Sequence, residues 1–186
     1  MTLFEYLAIA YSLVLSFAAM RIIEGLPYVV DAARRSWIHL VFVCAALLSC
    51  IADFWLFWND RAAQWDFLIF LTALANPGLL YFIACILVPR NCDSVDSWWD
   101  YFLSVRIRYF SAVGAYFAVA AIHTTLIVSV PLSSPLRLAQ ITGLAVAISG
   151  VRARSQRLLS AIALFYIAFA AVGVLVFLRP GSPVPS

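Results

Sequence analysis

The chain has 186 residues, 65% of them hydrophobic and 11% charged, with a mean hydropathy of +0.99, against about half apolar and a quarter charged in soluble domains. That composition excludes an ordinary water-soluble globule and points to an integral membrane protein. All twelve basic residues are arginine, which excludes lysine Schiff-base chemistry, and a net charge of +3 scattered along the chain offers no nucleic-acid footprint.

Taken in chain order, six apolar stretches approach the roughly 20 residues needed to cross a bilayer. The first, Leu3 to Ile23, carries Glu5 and lacks the positive leader of a signal peptide, so it reads as a retained helix. Trp37 to Trp58, Asp66 to Val88, Tyr109 to Val130, Leu132 to Val151 and Leu158 to Leu178 follow. Gly25 and Pro27, the run PRN, the run PLSSP and the final RPGSPVPS separate or end them. The spacing predicts an all-α polytopic membrane protein, with six transmembrane helices in one bundle over residues 1–180 and a short Pro/Ser tail at 181–186. The fifth stretch is the weakest, because Arg137 and Gln140 fall in its first turns.

Arginine placement sets the expected orientation. Nine arginines (21, 34, 35, 90, 106, 108, 152, 154 and 157) flank the loops after the first, third and fifth stretches, and three (61, 137 and 179) lie on the other side. The positive-inside rule then puts both termini outside. Trp37, Trp98 and Trp99 would mark the inner interface, and Trp55, Trp58 and Trp65 the outer one. The all-arginine basic set fits a GC-rich genome, and with it a bacterial inner membrane.

Between the third and fourth stretches, DSVDSWWDYFLSVRIR places Asp93, Asp96 and Asp100 on one helical face and Trp98, Phe102 and Val105 on another. This predicts a short helix lying in the inner interface. Its acidic face reads first as a solvated surface pairing loosely with Arg106 and Arg108, and second as a weak cation site. Small residues at Ala139, Gly143 and Ala147, and again at Ser111 and Ala115, allow close helix contact within the chain or between copies.

Polar side chains inside apolar stretches are the informative ones, because a bilayer makes them costly. Asp53 lies roughly 24 Å along its helix from Trp37, and His123 roughly 21 Å from Tyr109, which puts both at similar depth in the outer half. Ser12, Thr72, Thr124, Thr125, Gln140 and Thr142 reach comparable depths. A carboxylate beside an imidazole there would form an ion- or proton-handling site; otherwise the layer is a satisfied polar cluster, or Asp53 is hydrated near the outer interface. Asn76, Pro77 and Gly78 stand mid-way along the third stretch, where a proline removes a backbone donor. That predicts a helix break, which in transporters can coordinate ions and elsewhere acts as a hinge.

His39 lies about 3 Å from the inner end of its helix and His123 about 21 Å from that of its own, so the two cannot share a haem iron within one chain. His39 reads as an interfacial residue. Cys44, Cys50, Cys85 and Cys92 match no metal-ligand spacing, and no disulfide, metal or other cofactor is expected. Hydrolase, metalloprotease, P-loop and dinucleotide motifs are lacking, so no enzyme activity is expected. The leading expectation is a small channel or transporter-like protein, oligomeric in the bilayer; the alternative is an accessory or scaffold subunit of a larger membrane complex.

Overall fold

The computed structural model describes residues 3–127 and 131–177, and the Pro/Ser tail at 181–186 lies outside them. The described residues form six α-helices: α1 (Leu3–Val29), α2 (Trp37–Phe57), α3 (Phe67–Leu87), α4 (Trp98–Ile127), α5 (Pro135–Arg152) and α6 (Gln156–Phe177). A short 3-10 helix, Trp58–Ala62, follows α2, and there is no strand among the described residues. Among the described residues, five helices, all but α5, are long and apolar enough to cross a membrane, the make-up of a membrane-integral protein.

Side chains fix several helix starts by accepting orphan backbone N–H groups. Ser36 Oγ accepts from His39 N at 3.5 Å, Asp66 Oδ1 from Ile69 N at 2.8 Å and Ser134 Oγ from Arg137 N at 3.2 Å. Packing centres on α3, which lies against α1, α2 and α4; α5 is carried by α4, while α6 rests on α2 and scarcely touches α5.

The expected interfacial helix is not a separate element. Asp93 to Ser97 form turns and bends, and α4 then runs unbroken for 30 residues from Trp98. The physical reason is a single stripe. Trp98, Phe102 and Val105, which looked like a face for headgroups, continue at three- and four-residue steps into Tyr109, Ala112 and Val113, and all six are buried. Asp93, Asp96 and Asp100 are exposed on the other side, and no group of three or more acidic, histidine or cysteine residues among the described residues could hold a metal.

The end of the bundle that carries Trp98 is tied by long side chains. Trp98 Nε1 donates to Tyr28 O at 2.8 Å, Tyr101 Oη to Ile86 O at 2.8 Å, Arg21 Nε to Val88 O at 3.1 Å and Arg34 Nη1 to Val95 O at 3.2 Å. Trp98 is therefore fully buried and belongs to no interfacial belt. His39, expected at the interface, is also fully buried, its ring stacked on Trp98 at 4.9 Å beside the Leu87 backbone.

The small residues of α5 act inside the chain. A side chain at Gly143 would collide with Phe117, one at Gly150 would collide with Phe110, and Gly114 faces Ala147. Each phenyl ring thus occupies the space that a missing Cβ opens, which lets α4 and α5 approach closely. α3, in turn, is not broken. It is helical from Phe67 through Asn76, Pro77 and Gly78 to Leu87, so the proline is accommodated inside a continuous helix.

Candidate functional site

Asp53 sits at a core position for a reason written in the local sequence. On α2, Phe42, Ala46, Cys50, Asp53 and Phe57 follow one another at three- and four-residue steps, and all are buried. Helix geometry therefore points the carboxylate inward with its apolar neighbours. Leu7, Tyr11, Leu15, Ala18 and Ile22 form the matching buried stripe on α1 and bring Tyr11 to the same level. α4 supplies Tyr116 one turn beyond Ala112 and Val113.

The two carboxylate oxygens are taken by two phenols. Tyr11 Oη donates to Asp53 Oδ2, and Tyr116 Oη donates to Oδ1 at 2.8 Å. A charge-assisted bond of this kind satisfies a carboxylate that would be costly to bury alone, and it joins α1, α2 and α4 through a single residue.

His123 bonds elsewhere. Its Nε2 lies 3.1 Å from Asp60 Oδ2 on the 3-10 helix, and its Nδ1 lies 2.9 Å from Thr72 Oγ1 on α3. The Asp53–His123 pairing that similar depth left open is not made: His123 pairs with Asp60, with Asp53 within electrostatic reach of both. The spacing explains it. Asp53 and Asp60 are seven residues apart, as are Tyr116 and His123, so two roughly parallel elements meet twice, two helical turns apart. The carboxylate nearer the end of the bundle meets the imidazole, and the deeper one meets the phenol. Asp60 and His123 keep some access, with side chains 18% and 8% exposed.

Thr72 gives this pair a second arrangement. Its hydroxyl lies 3.0 Å from Leu68 O and 3.0 Å from Ile69 O, as well as beside His123. With a neutral imidazole, Nε2–H donates to Asp60 and Thr72 donates to Nδ1. With an imidazolium, both ring N–H groups donate, and the Thr72 hydroxyl turns to its own backbone. One proton can be gained or lost with every partner still bonded.

A third polar set joins α5 to α4. Arg137 donates to Ala121 O at 3.1 Å, Gln140 Oε1 at 3.0 Å and Thr125 Oγ1 at 2.8 Å. Gln140 Nε2 donates to Ala120 O and to Thr124 Oγ1, both at 3.2 Å. The polar residues that made the fifth stretch a poor lipid-facing span are satisfied against α4 instead.

Of the expected polar layer, Thr72, Thr124, Thr125 and Gln140 enter these networks. Ser12 donates only to Ile9 O of its own helix, and Thr142 faces Phe117 and Phe165 between α4, α5 and α6. Asn76 is buried, with no hydrogen-bond partner for its Oδ1, and Gly78 faces open space. Tyr11, Tyr116 and Asp60 carry no motif in the sequence that marks them as site residues, and Arg137 stands out there only as a charge in the first turns of the fifth stretch. Tyr11 and Tyr116 could have been found by extending the buried stripes of α1 and α4 to the level of Asp53. Comparison with protein-family models, with curated proteins and with solved structures returned no match.

Proposed function

We propose that this chain is a small membrane channel or transporter-like protein that handles protons, or a small ion coupled to them, through Asp60–His123 and the deeper Asp53. The observation that carries the reading is the Thr72–His123–Asp60 arrangement, which accepts two protonation states without losing a hydrogen bond. Asp53, held by Tyr11 and Tyr116 one heptad deeper, is the next carboxylate along that line. Intramembrane carboxylates and imidazoles of this kind are used in proton relays.

The arginine distribution favours placing the 3-10 end outside, in a bacterial inner membrane, with the acceptor pair open to that side. Below Asp53 the centre of the bundle is filled by Phe42, Phe102, Tyr109 and Phe110, so a through path would run between copies in a homo-oligomer. The polar layer in this reading comprises Thr72, which bonds His123, and Thr124, Thr125 and Gln140, which tie α4 to α5.

Flux from proteoliposomes under a pH gradient, and under sodium, potassium and chloride gradients, tests the proposal. A flux that falls roughly tenfold or more in Asp53→Asn and His123→Ala is expected, because each change removes a group that can take up the proton. Absence of flux in every gradient would overturn it. A stoichiometric membrane partner recovered in mild detergent would then favour the accessory-subunit alternative.

A further inference from the structure

α3 is fastened unequally along its length. Its second half, residues 79–87, and the Val88 that caps it are pinned to α1 and α4. A Cβ at Gly25 of α1 would overlap the Val88 side chain, Tyr101 Oη donates to Ile86 O at 2.8 Å, and Arg21 Nε donates to Val88 O at 3.1 Å. Its first half, residues 67–76, shares one side-chain hydrogen bond with another element among the described residues, Thr72 with His123 at 2.9 Å. Phe67, Leu68 and Leu71 are exposed there.

Between the two halves the helix is least braced. Pro77 has no N–H, so Ala73 O lacks the donor that a helix supplies four residues on. Asn76 is buried, and its Oδ1 has no partner either. A Cβ at Gly78 would meet nothing within 4 Å, so no neighbour holds the backbone at that turn. Sharp bends in helices arise at proline for this reason. Thr72 stands one turn from Asn76 toward the 3-10 end, and Asp53 lies two turns deeper than His123, at Tyr116. Swinging the first half of α3 outward therefore parts the α3–α4 seam on the way to Asp53, against the Thr72–His123 bond and the buried contacts of Ile69 and Ala73.

We propose that the first half of α3 is a gate, pivoting at Asn76–Gly78 and latched by Thr72 on His123, whose opening admits water and small solutes from the 3-10 end to Asp53. The gate supplies the control of access that proton handling at Asp53 requires, and for that use it rests on the transport reading. The motion itself is measurable without any flux.

Cys50, buried one turn from Asp53 on the same stripe of α2, is a native reporter of such an opening. In the detergent-solubilised chain at fixed pH, the rate at which a charged methanethiosulfonate modifies Cys50 is read by peptide mass spectrometry, beside that of Cys92 at the opposite end of the bundle. Gly78→Ala stiffens the pivot and should slow Cys50 roughly fivefold, the helix preference of alanine over glycine expressed as an opening equilibrium. Thr72→Val removes the latch at nearly constant shape and should speed Cys50 by a similar factor. Cys92 should react alike in all three proteins, and helical circular dichroism should report each of them folded. An unchanged Cys50 rate in either folded variant, or a shift in the same direction in both, would overturn the gate whatever the flux. Absence of flux in a parent whose Cys50 rate responds as stated would overturn the transport reading and leave the gate standing.

Discussion

Asp60 and His123 meet at 3.1 Å across the 3-10 end of the bundle, two helical turns beyond the place where Asp53 meets Tyr116. A cycle of Asp60→Asn, His123→Ala and the double variant should therefore show non-additivity of about 1 kcal/mol in unfolding free energy in detergent. The cycle of Asp53→Asn with His123→Ala should show less, because those two share no hydrogen bond. Equal coupling in both cycles would mean that the pairing is wrong.

Removing one phenol from Asp53 leaves a buried carboxylate oxygen without its donor. Tyr11→Phe and Tyr116→Phe should each lower stability by about 1–2 kcal/mol, and Asp53→Leu alone by about 2–3 kcal/mol, since it strands two hydroxyls. Combining all three changes should recover much of that loss, because no polar group is then left unpaired. Thermal unfolding followed by circular dichroism measures the order. A triple variant weaker than Asp53→Leu would contradict the contact set.

Glycines in this fold should respond oppositely to substitution. Gly143→Leu and Gly150→Leu push into Phe117 and Phe110, and overpacking of this kind costs about 1–3 kcal/mol. Pairing Gly143→Leu with Phe117→Ala should return part of the loss. Gly78 faces open space inside a continuous helix, so Gly78→Ala should be neutral or should stabilise by up to about 1 kcal/mol. If instead Gly78→Ala abolishes folding while Gly143→Leu is silent, the packing described for α3 and α5 is incorrect.

Two groups in the connecting loops carry pH dependence. Burial raises the Cys92 thiol above its ordinary value, and because the thiolate is the reactive form, maleimide labelling at Cys92 should be slow near pH 7 and accelerate at higher pH than for an exposed thiol. Asp31 is held below the usual carboxylate range, first by the Ala33 backbone N–H and then by Arg34. Its lowered pKa means that the associated stability is present above the unfolded value of about 3.9 and is lost as pH falls through the folded one. The stability difference between the parent and Asp31→Asn should shrink on acidification; a difference that grows would reverse the sign.

The apolar stretches and the helical class were legible because period and hydropathy act over a few turns of one chain, whereas the facing of Asp53, left open between the bundle interior and the outer interface, was decided by packing. Composition alone made the chain a membrane protein by class, and the uneven arginines carried an orientation preference. Trp98 and Phe102 show where local pattern stops. An amphipathic face packed on a protein core reads the same as one lying on headgroups, and only the stripe's continuation into Tyr109 at the surface of α2 distinguishes them. Depth along a helix was equally insufficient for Asp53. It gave His123 a similar level but not a rotation, and the rotation of α1 and α4 about their axes assigned the carboxylate to Tyr11 and Tyr116 and the imidazole to Asp60 and Thr72. Pairings between helices depend on which faces meet, and that choice is made by the packing of all the stripes at once.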